Sequence, residues 1–293
     1  MSKSTVRAFI VLAVVLDCFL IIGVIHHVNR TPPPSDITVT GAKPSETAGV
    51  PDKQQTKDNF KPAKAASMSL SNDQALLFAT RGKCDADQPG KLLVSTDGGS
   101  STSAVDTGLK EILAVDVVTR SELHVVGADG SCAVKKLTSS DGGDTWTPDT
   151  SDALWYPDAK DPKTVISPNG PSQPGCTVTS LSQVGNDFAR VSCSDGSIRG
   201  TGNGGDKWLK LGRLDNVRVA SFTTFNAGYA LAVYQGCAAR EFTTRDGGRS
   251  WAAGGCITGE PAEAIAANDT GLFAVVKCDF YASYNSGLKW AQP

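Results

Sequence analysis

The sequence predicts an all-β fold, a five-bladed β-propeller, preceded by one N-terminal transmembrane helix and a disordered, Pro-rich linker. Three observations carry this expectation. A Ser/Thr-x-Asp/Asn-x-Gly pattern recurs five times after residue 67. Upstream of each copy comes the same order of apolar strand, turn, apolar strand and short strand, the content of a propeller blade. The composition agrees: 30 Gly and 15 Pro against only 2 Met suit a turn-rich β protein better than a helical one.

The N-terminal region comes first. Residues 1–7 form a stub with Lys3 and Arg7, and an apolar run follows from Ala8 to Ile25. That run is long enough to cross a bilayer core. Asp17 sits in its middle, and its insertion penalty of about 3 kcal/mol is smaller than the gain from the surrounding Leu, Ile, Phe and Val side chains. No small-residue cleavage site follows at Gly23–His27, so the run reads as an uncleaved anchor. The basic flank points the N-terminus to the cytoplasm and the rest of the chain outside. Asp17 is also the candidate contact for a partner within the membrane.

Residues 26–66 include Thr31-Pro32-Pro33-Pro34 and carry few large apolar side chains. Such a stretch cannot build a core and is expected to act as a flexible tether. The propeller is expected over 67–293.

The five copies centre on Asp97, Asp141, Asn203, Asp246 and Asn285. In the last four, Trp146, Trp208, Trp251 and Trp290 follow five residues later, whereas the first copy has Thr102 there. Each copy is a turn staple: the Asp or Asn oxygen accepts turn N–H groups, Gly supplies a positive φ, and the Trp buries a large ring between neighbouring sheets. These residues resemble the Asp-box, or bacterial neuraminidase repeat, of sialidases and sortilin-type receptors. The resemblance implies a propeller with the boxes on one face and the ligand on the other. The Asp-Gly-Gly-Asp stretch at 141–144 lacks the further ligands of a calcium loop, so no metal and no cofactor is expected.

Spacings between copies are 44, 62, 43 and 39 residues. The excess in the second interval is about 20 residues, too short for a further four-stranded unit, and reads as an inserted loop. Only Ala291-Gln292-Pro293 follow the last Trp, so the last blade either stays three-stranded or takes a strand from the segment before Ser67.

Seven of the eight Cys follow the apolar run, as suits an oxidising compartment. Cys84, Cys132, Cys193, Cys237 and Cys278 recur at one place in each unit, and equivalent points on different blades are expected to lie too far apart to bridge. Cys176 and Cys256 are off register and are the natural partners: Cys176 with Cys193, and Cys256 with Cys237 or Cys278. Seven is odd, so at least one thiol is left over.

A net charge of −2 provides no basic footprint for nucleic acid. The long segment from Asp149 to Gly175 is the candidate ligand loop, with Trp155, Tyr156, Asp158 and Lys160 as binding residues; a lid over the central channel is the other reading. The sialidase motif Phe/Tyr-Arg-Ile-Pro is absent, and five arginines (Arg190, Arg199, Arg213, Arg218 and Arg240) show no spacing that makes three converge. Asp116, Glu122, Glu241 and Glu263 could supply glycosidase carboxylates, and His124 is the one His of the propeller segment 67–293. The expected function is a non-enzymatic binding or scaffold module for a protein or an envelope glycan, displayed on the outer side of a membrane. The alternatives are a glycoside hydrolase of sialidase-like fold and an assembly factor for a membrane complex.

Overall fold

A computed structural model describes residues 66–85, 88–151 and 154–293. All of them fall in the second of the two units into which the chain divides, Gln54–Pro293. The expected anchor at 8–25, with Asp17, and nearly all of the linker lie outside the described residues.

Among the described residues, twenty-two strands form six antiparallel sheets. The first blade contains β1 (Ala66–Leu70), β2 (Leu76–Thr80), β3 (Lys91–Ser95) and β4 (Ser103–Val105). The second contains β5 (Glu111–Val117), β6 (Leu123–Ala128), β7 (Val134–Ser139) and β8 (Thr147–Pro148). The third is a small sheet of β9 (Tyr156–Pro157), β10 (Val165–Ser167) and β11 (Gly170–Ser172). The fourth has β12 (Val178–Gln183), β13 (Ala189–Cys193), β14 (Ser197–Thr201) and β15 (Leu209–Arg213). The fifth has β16 (Val217–Phe222), β17 (Gly228–Tyr234), β18 (Cys237–Thr244) and β19 (Ala252–Ile257). The sixth has β20 (Ala262–Ala267), β21 (Leu272–Val276) and β22 (Asp279–Ser283).

The propeller therefore has six blades, not the five expected from the repeats. The stretch read as an inserted loop is the third blade. It fits in the long interval because its strands are only two or three residues long and it lacks a fourth. It also lacks the repeat motif, which hid it from motif counting. The expected N-terminal helix is likewise not part of the described fold: among the described residues no helix is long and apolar enough to cross a membrane. The sixth blade is three-stranded, with Ala291 making a single bridge to Ala282 on the open edge.

The burial pattern explains the strand sequences. Middle strands are covered on both faces by neighbouring blades, so β21 is buried at all five positions and β2 at four of five. This makes them continuous apolar runs rather than alternating ones. Outer strands such as β8 are exposed and polar. Six apolar clusters form the core, one at each seam between consecutive blades. Trp146, Trp208, Trp251 and Trp290 pack at the first-second, third-fourth, fourth-fifth and fifth-sixth seams respectively. The seam between the sixth blade and the first, where Thr102 replaces Trp, is filled instead by Phe78 and Phe280, edge to face with centroids 5.6 Å apart.

The repeated turns share one hydrogen-bond pattern. In the second blade, Ser139 Oγ donates to Asp141 Oδ1 at 2.7 Å, the Gly143 amide donates to Ser139 Oγ at 2.8 Å, and the Thr145 amide donates to Asp141 Oδ1 at 2.9 Å. The same three bonds occur around Asp97 and Asp246. Asn203 and Asn285 keep the pattern with the amide oxygen as acceptor, at 3.1 Å from Lys207 N and 2.9 Å from Lys289 N.

Among the described residues there are three disulfides. Cys176–Cys193 joins the entry of β12 to the end of β13, and Cys237–Cys256 joins β18 to β19. Cys84–Cys132 corrects the expectation that equivalent points on different blades cannot bridge, with a Cα–Cα distance of 5.2 Å. Both residues sit on loops rather than on strands. The loop after β2 leans onto the second blade, where Ile112 N donates to Arg81 O at 2.7 Å and Gly90 N to Lys110 O at 2.8 Å. Cys278 is outside the three disulfides.

Candidate functional site

The six innermost strands β1, β5, β9, β12, β16 and β20 enclose a central channel of about 640 Å³. Their packing on one another depends on small polar residues. Ser67 and Ser69 on β1 accept the amides of Val115 and Val117 on β5, at 3.3 and 3.1 Å. Ser180 and Ser182 on β12 accept those of Ala220 and Phe222 on β16, at 3.0 and 2.8 Å. A Ser-x-Ser pair on one inner strand thus satisfies amides that the next blade's inner strand would otherwise leave unpaired.

These ties leave a lining rich in hydroxyl and amide groups. Thr179, Gln183, Ser221, Thr223, Tyr229, Asn72 and Asn268 all border the channel. Arg81 enters from the loop end, its Nε donating to Glu111 Oε1 at 2.7 Å. Its Nη2 donates to the carbonyls of Asp158 and Ala159, both at 3.2 Å, so this guanidinium ties the first, second and third blades together. Two carboxylates appear among the described lining residues. Asp116 accepts Ser69 Oγ at 3.1 Å, and Asp269, at the end carrying the repeated turns, accepts Asn72 Nδ2 at 3.1 Å.

Of the four acids singled out from the sequence, Asp116 alone borders the channel. Glu122 lies beside His124, which is 2.9 Å from Asp149. Glu241 is fully buried near the outer edge of the fifth blade. Glu263 is buried with Cys278 Sγ 3.8 Å from its carboxylate. Arg190, Arg199, Arg213, Arg218 and Arg240 are absent from the lining, whereas Arg81 is part of it.

The candidate ligand loop is held tightly by its blade. Trp155 is 3% exposed; its amide donates to Gln183 Oε1 at 3.1 Å and its indole to Asn186 O at 3.0 Å. The ring meets Trp208 edge on, with centroids 6.0 Å apart. Tyr156 is buried in the seam with the second blade. Asp158 accepts the amides of Lys160 and Asp161, both at 2.8 Å, closing a turn on which Lys160 is exposed. Trp155 borders the channel, but Tyr156, Asp158 and Lys160 do not. Sequence reading missed Arg81 and Asp269 as lining residues. Neither carries a motif, and both reach the channel through the direction of a loop.

No family model matches the chain, and no curated protein does. Among solved structures, a YCF48 bound to D1 peptide aligns over 77% of this chain and 65% of its own, at 13% identity and a TM-score of 0.34. A fucose-binding lectin of Aleuria aurantia aligns over 78% of this chain and 96% of its own, at 12% identity and 0.46. A GH74 xyloglucanase of Xanthomonas campestris aligns at 13% identity and 0.32, and this chain spans 37% of it. At such identities and scores these likenesses add nothing to the fold, which rests on the six sheets themselves.

Proposed function

We propose that this chain is a non-enzymatic binding or scaffold module whose ligand, a protein segment or an envelope glycan, engages the central channel. The observation carrying the reading is the channel lining: it is rich in hydroxyl and amide groups, with Trp155 and Tyr229 among its aromatic side chains and Arg81, Asp116 and Asp269 as its charged ones. Such a surface suits the many weak donors and acceptors of a sugar or a peptide backbone. The hydrolase alternative needs two opposed carboxylates across the reacting bond. Asp116 is engaged by Ser69 and Asp269 by Asn72, and no other described carboxylate lines the channel.

The module is carried outside a membrane by the apolar run at 8–25, with Asp17 as contact for a membrane partner. Three disulfides support an oxidising compartment. The five turns support assignment to the Asp-box family, with the motif-free third blade as this chain's departure from the repeat.

The test uses the full chain on glycan and peptide arrays, followed by a Ser221→Tyr variant. Ser221 lines the channel, and its hydroxyl bonds to no described residue, so the ring fills space without breaking a tie. Loss of at least about tenfold in affinity, at unchanged melting temperature, is expected. Unchanged binding by the variant would remove the channel from the reading. Release of reducing ends from a bound glycan, abolished by Asp116→Asn, would replace it with the hydrolase. Membrane association is checked by fractionation before and after deletion of residues 8–25.

A further inference from the structure

The repeated turns of the fourth and fifth blades carry a second candidate surface, away from the channel. Phe188, in the turn between β12 and β13, meets Phe225, in the turn between β16 and β17, with ring centroids 4.2 Å apart. Phe225 is 45% exposed. Arg190 lies below this pair. Its Nη1 donates to the carbonyls of Ala189 and Thr201 at 3.1 and 3.3 Å, and its Nη2 to Phe225 O at 3.2 Å.

Glycines shape the surface. A Cβ on Gly200 would lie 2.7 Å from Arg190 Nη1, and one on Gly202 would lie 3.0 Å from the Phe188 ring. A Cβ on Gly247 would lie 2.7 Å from Phe225 O and 3.6 Å from Arg249 Nη1. Arg190 Nη2 thus bonds a carbonyl beside Gly247, and Arg249 Nη1, from the next blade, lies beside the same glycine, with exposed Arg245 in that turn.

Convergence of like charges is unfavourable unless an anion lies between them. Among the described residues no carboxylate stands within ion-pair distance of Arg190, Arg245 or Arg249. Burial first, and the charge of Arg249 second, hold the Arg190 guanidinium below its ordinary range. Arg249 uses Nη1 for Asp246 O and is otherwise exposed.

We propose that this face docks an acidic segment of a protein partner, a carboxylate meeting Arg249 and Arg190 while a neighbouring apolar side chain packs on the Phe188–Phe225 pair. The aromatic geometry selects the partner class. A sugar stacks on an open aromatic face, whereas these rings, 4.2 Å apart and tilted by 50°, cover part of each other, which suits an alkyl or aryl side chain better. Guanidinium forks match carboxylates in bidentate geometry.

The test is fluorescence anisotropy of a labelled Gly-Glu-Phe-Glu-Gly peptide on the full chain in detergent, beside the peptide with Gln for both Glu. The Glu peptide should bind at least about tenfold more tightly than the Gln peptide, and less tightly as salt rises. Arg249→Gln combined with Arg245→Gln should weaken it about tenfold, and Arg249→Lys less. These side chains are exposed and the turn's main-chain bonds are kept, so the fold is retained. Phe225→Ala should also weaken binding. Ser221→Tyr should not, which separates this surface from the channel. Equal binding of the two peptides, indifference to the arginine variants, or no saturable binding would overturn the proposal. Polygalacturonate binding in place of the peptide would do the same, making the occupant an acidic glycan.

Discussion

The hydroxyl of Ser182, on the inner strand of the fourth blade, accepts the Phe222 amide of the fifth at 2.8 Å and donates back to the Phe222 carbonyl at 3.2 Å. One side chain thus stands in for a strand pairing that inner strands of a propeller do not make. Ser182→Ala leaves the amide of the buried Phe222 without that partner, and should lower stability by about 1–2 kcal/mol. Ser221→Ala, at a hydroxyl with no described partner, should change it by less than about 0.5 kcal/mol. Urea midpoints of the two variants check the difference.

Cys84–Cys132 spans 48 residues and joins two blades, whereas the other bridges span 17 and 19 residues within one blade each. Loop-closure entropy in the unfolded chain is about 4 kcal/mol for the long bridge and about 3 for the short ones. Replacing both Cys84 and Cys132 by Ser should therefore destabilise by more than replacing Cys176 and Cys193, by about 1 kcal/mol. Equilibrium unfolding under non-reducing conditions measures it.

Glu241 gives the fold a pH dependence near neutrality. The side chain is fully buried, Thr243 Oγ1 donates to its Oε1 at 2.7 Å, and Oε2 has no partner among the described residues. It packs against Gly254 of β19 and Gly287 of the last repeated turn, where any Cβ would collide with it. Burial pushes its pKa up from 4.5 to about 7. The folded state then holds a proton that the unfolded chain has released, so stability is full below about 4.5, falls as pH rises toward about 7, and levels off above. Glu241→Gln should flatten that slope in denaturation midpoints measured across the window. A slope unchanged by the substitution would assign it to another group.

The acid limb has the opposite sign. Asp97, Asp141 and Asp246 are held at about 2, below the ordinary 3.8. For Asp97 the Ser101 hydroxyl is the largest cause, and for Asp141 the Thr145 hydroxyl. At Asp246, burial works the other way and is outweighed by the Ser250 hydroxyl and amide. Stability from these turns is present above about 3.8 and lost as pH falls toward about 2. The triple Asp→Asn variant should lose less stability in acid, because the Asn203 and Asn285 turns already keep the same amide bond with a group that does not titrate. Thermal melts through the acid range test this.

The sequence by itself determined the all-β class, the five stapled turns and the Cys176–Cys193 disulfide, and left Cys256 between Cys237 and Cys278, because each rests on local chemistry: an Asx oxygen, a glycine φ, or two cysteines on paired strands. The channel lining was less legible. Asp116 could be named but not placed, and Arg81 and Asp269 carried no pattern at all. Tertiary structure alone decided that there are six blades, since the third blade's strands of two and three residues at Tyr156–Pro157, Val165–Ser167 and Gly170–Ser172 carry no periodicity of their own. They are stabilised by Trp155 and Tyr156 filling the seams on either side. It also decided the Cys84–Cys132 bridge and the approach of Arg190 and Arg249 to one glycine. The reason is the same for all three: they depend on contacts between blades, and those follow from how six sheets close into a ring rather than from the spacing along any one strand.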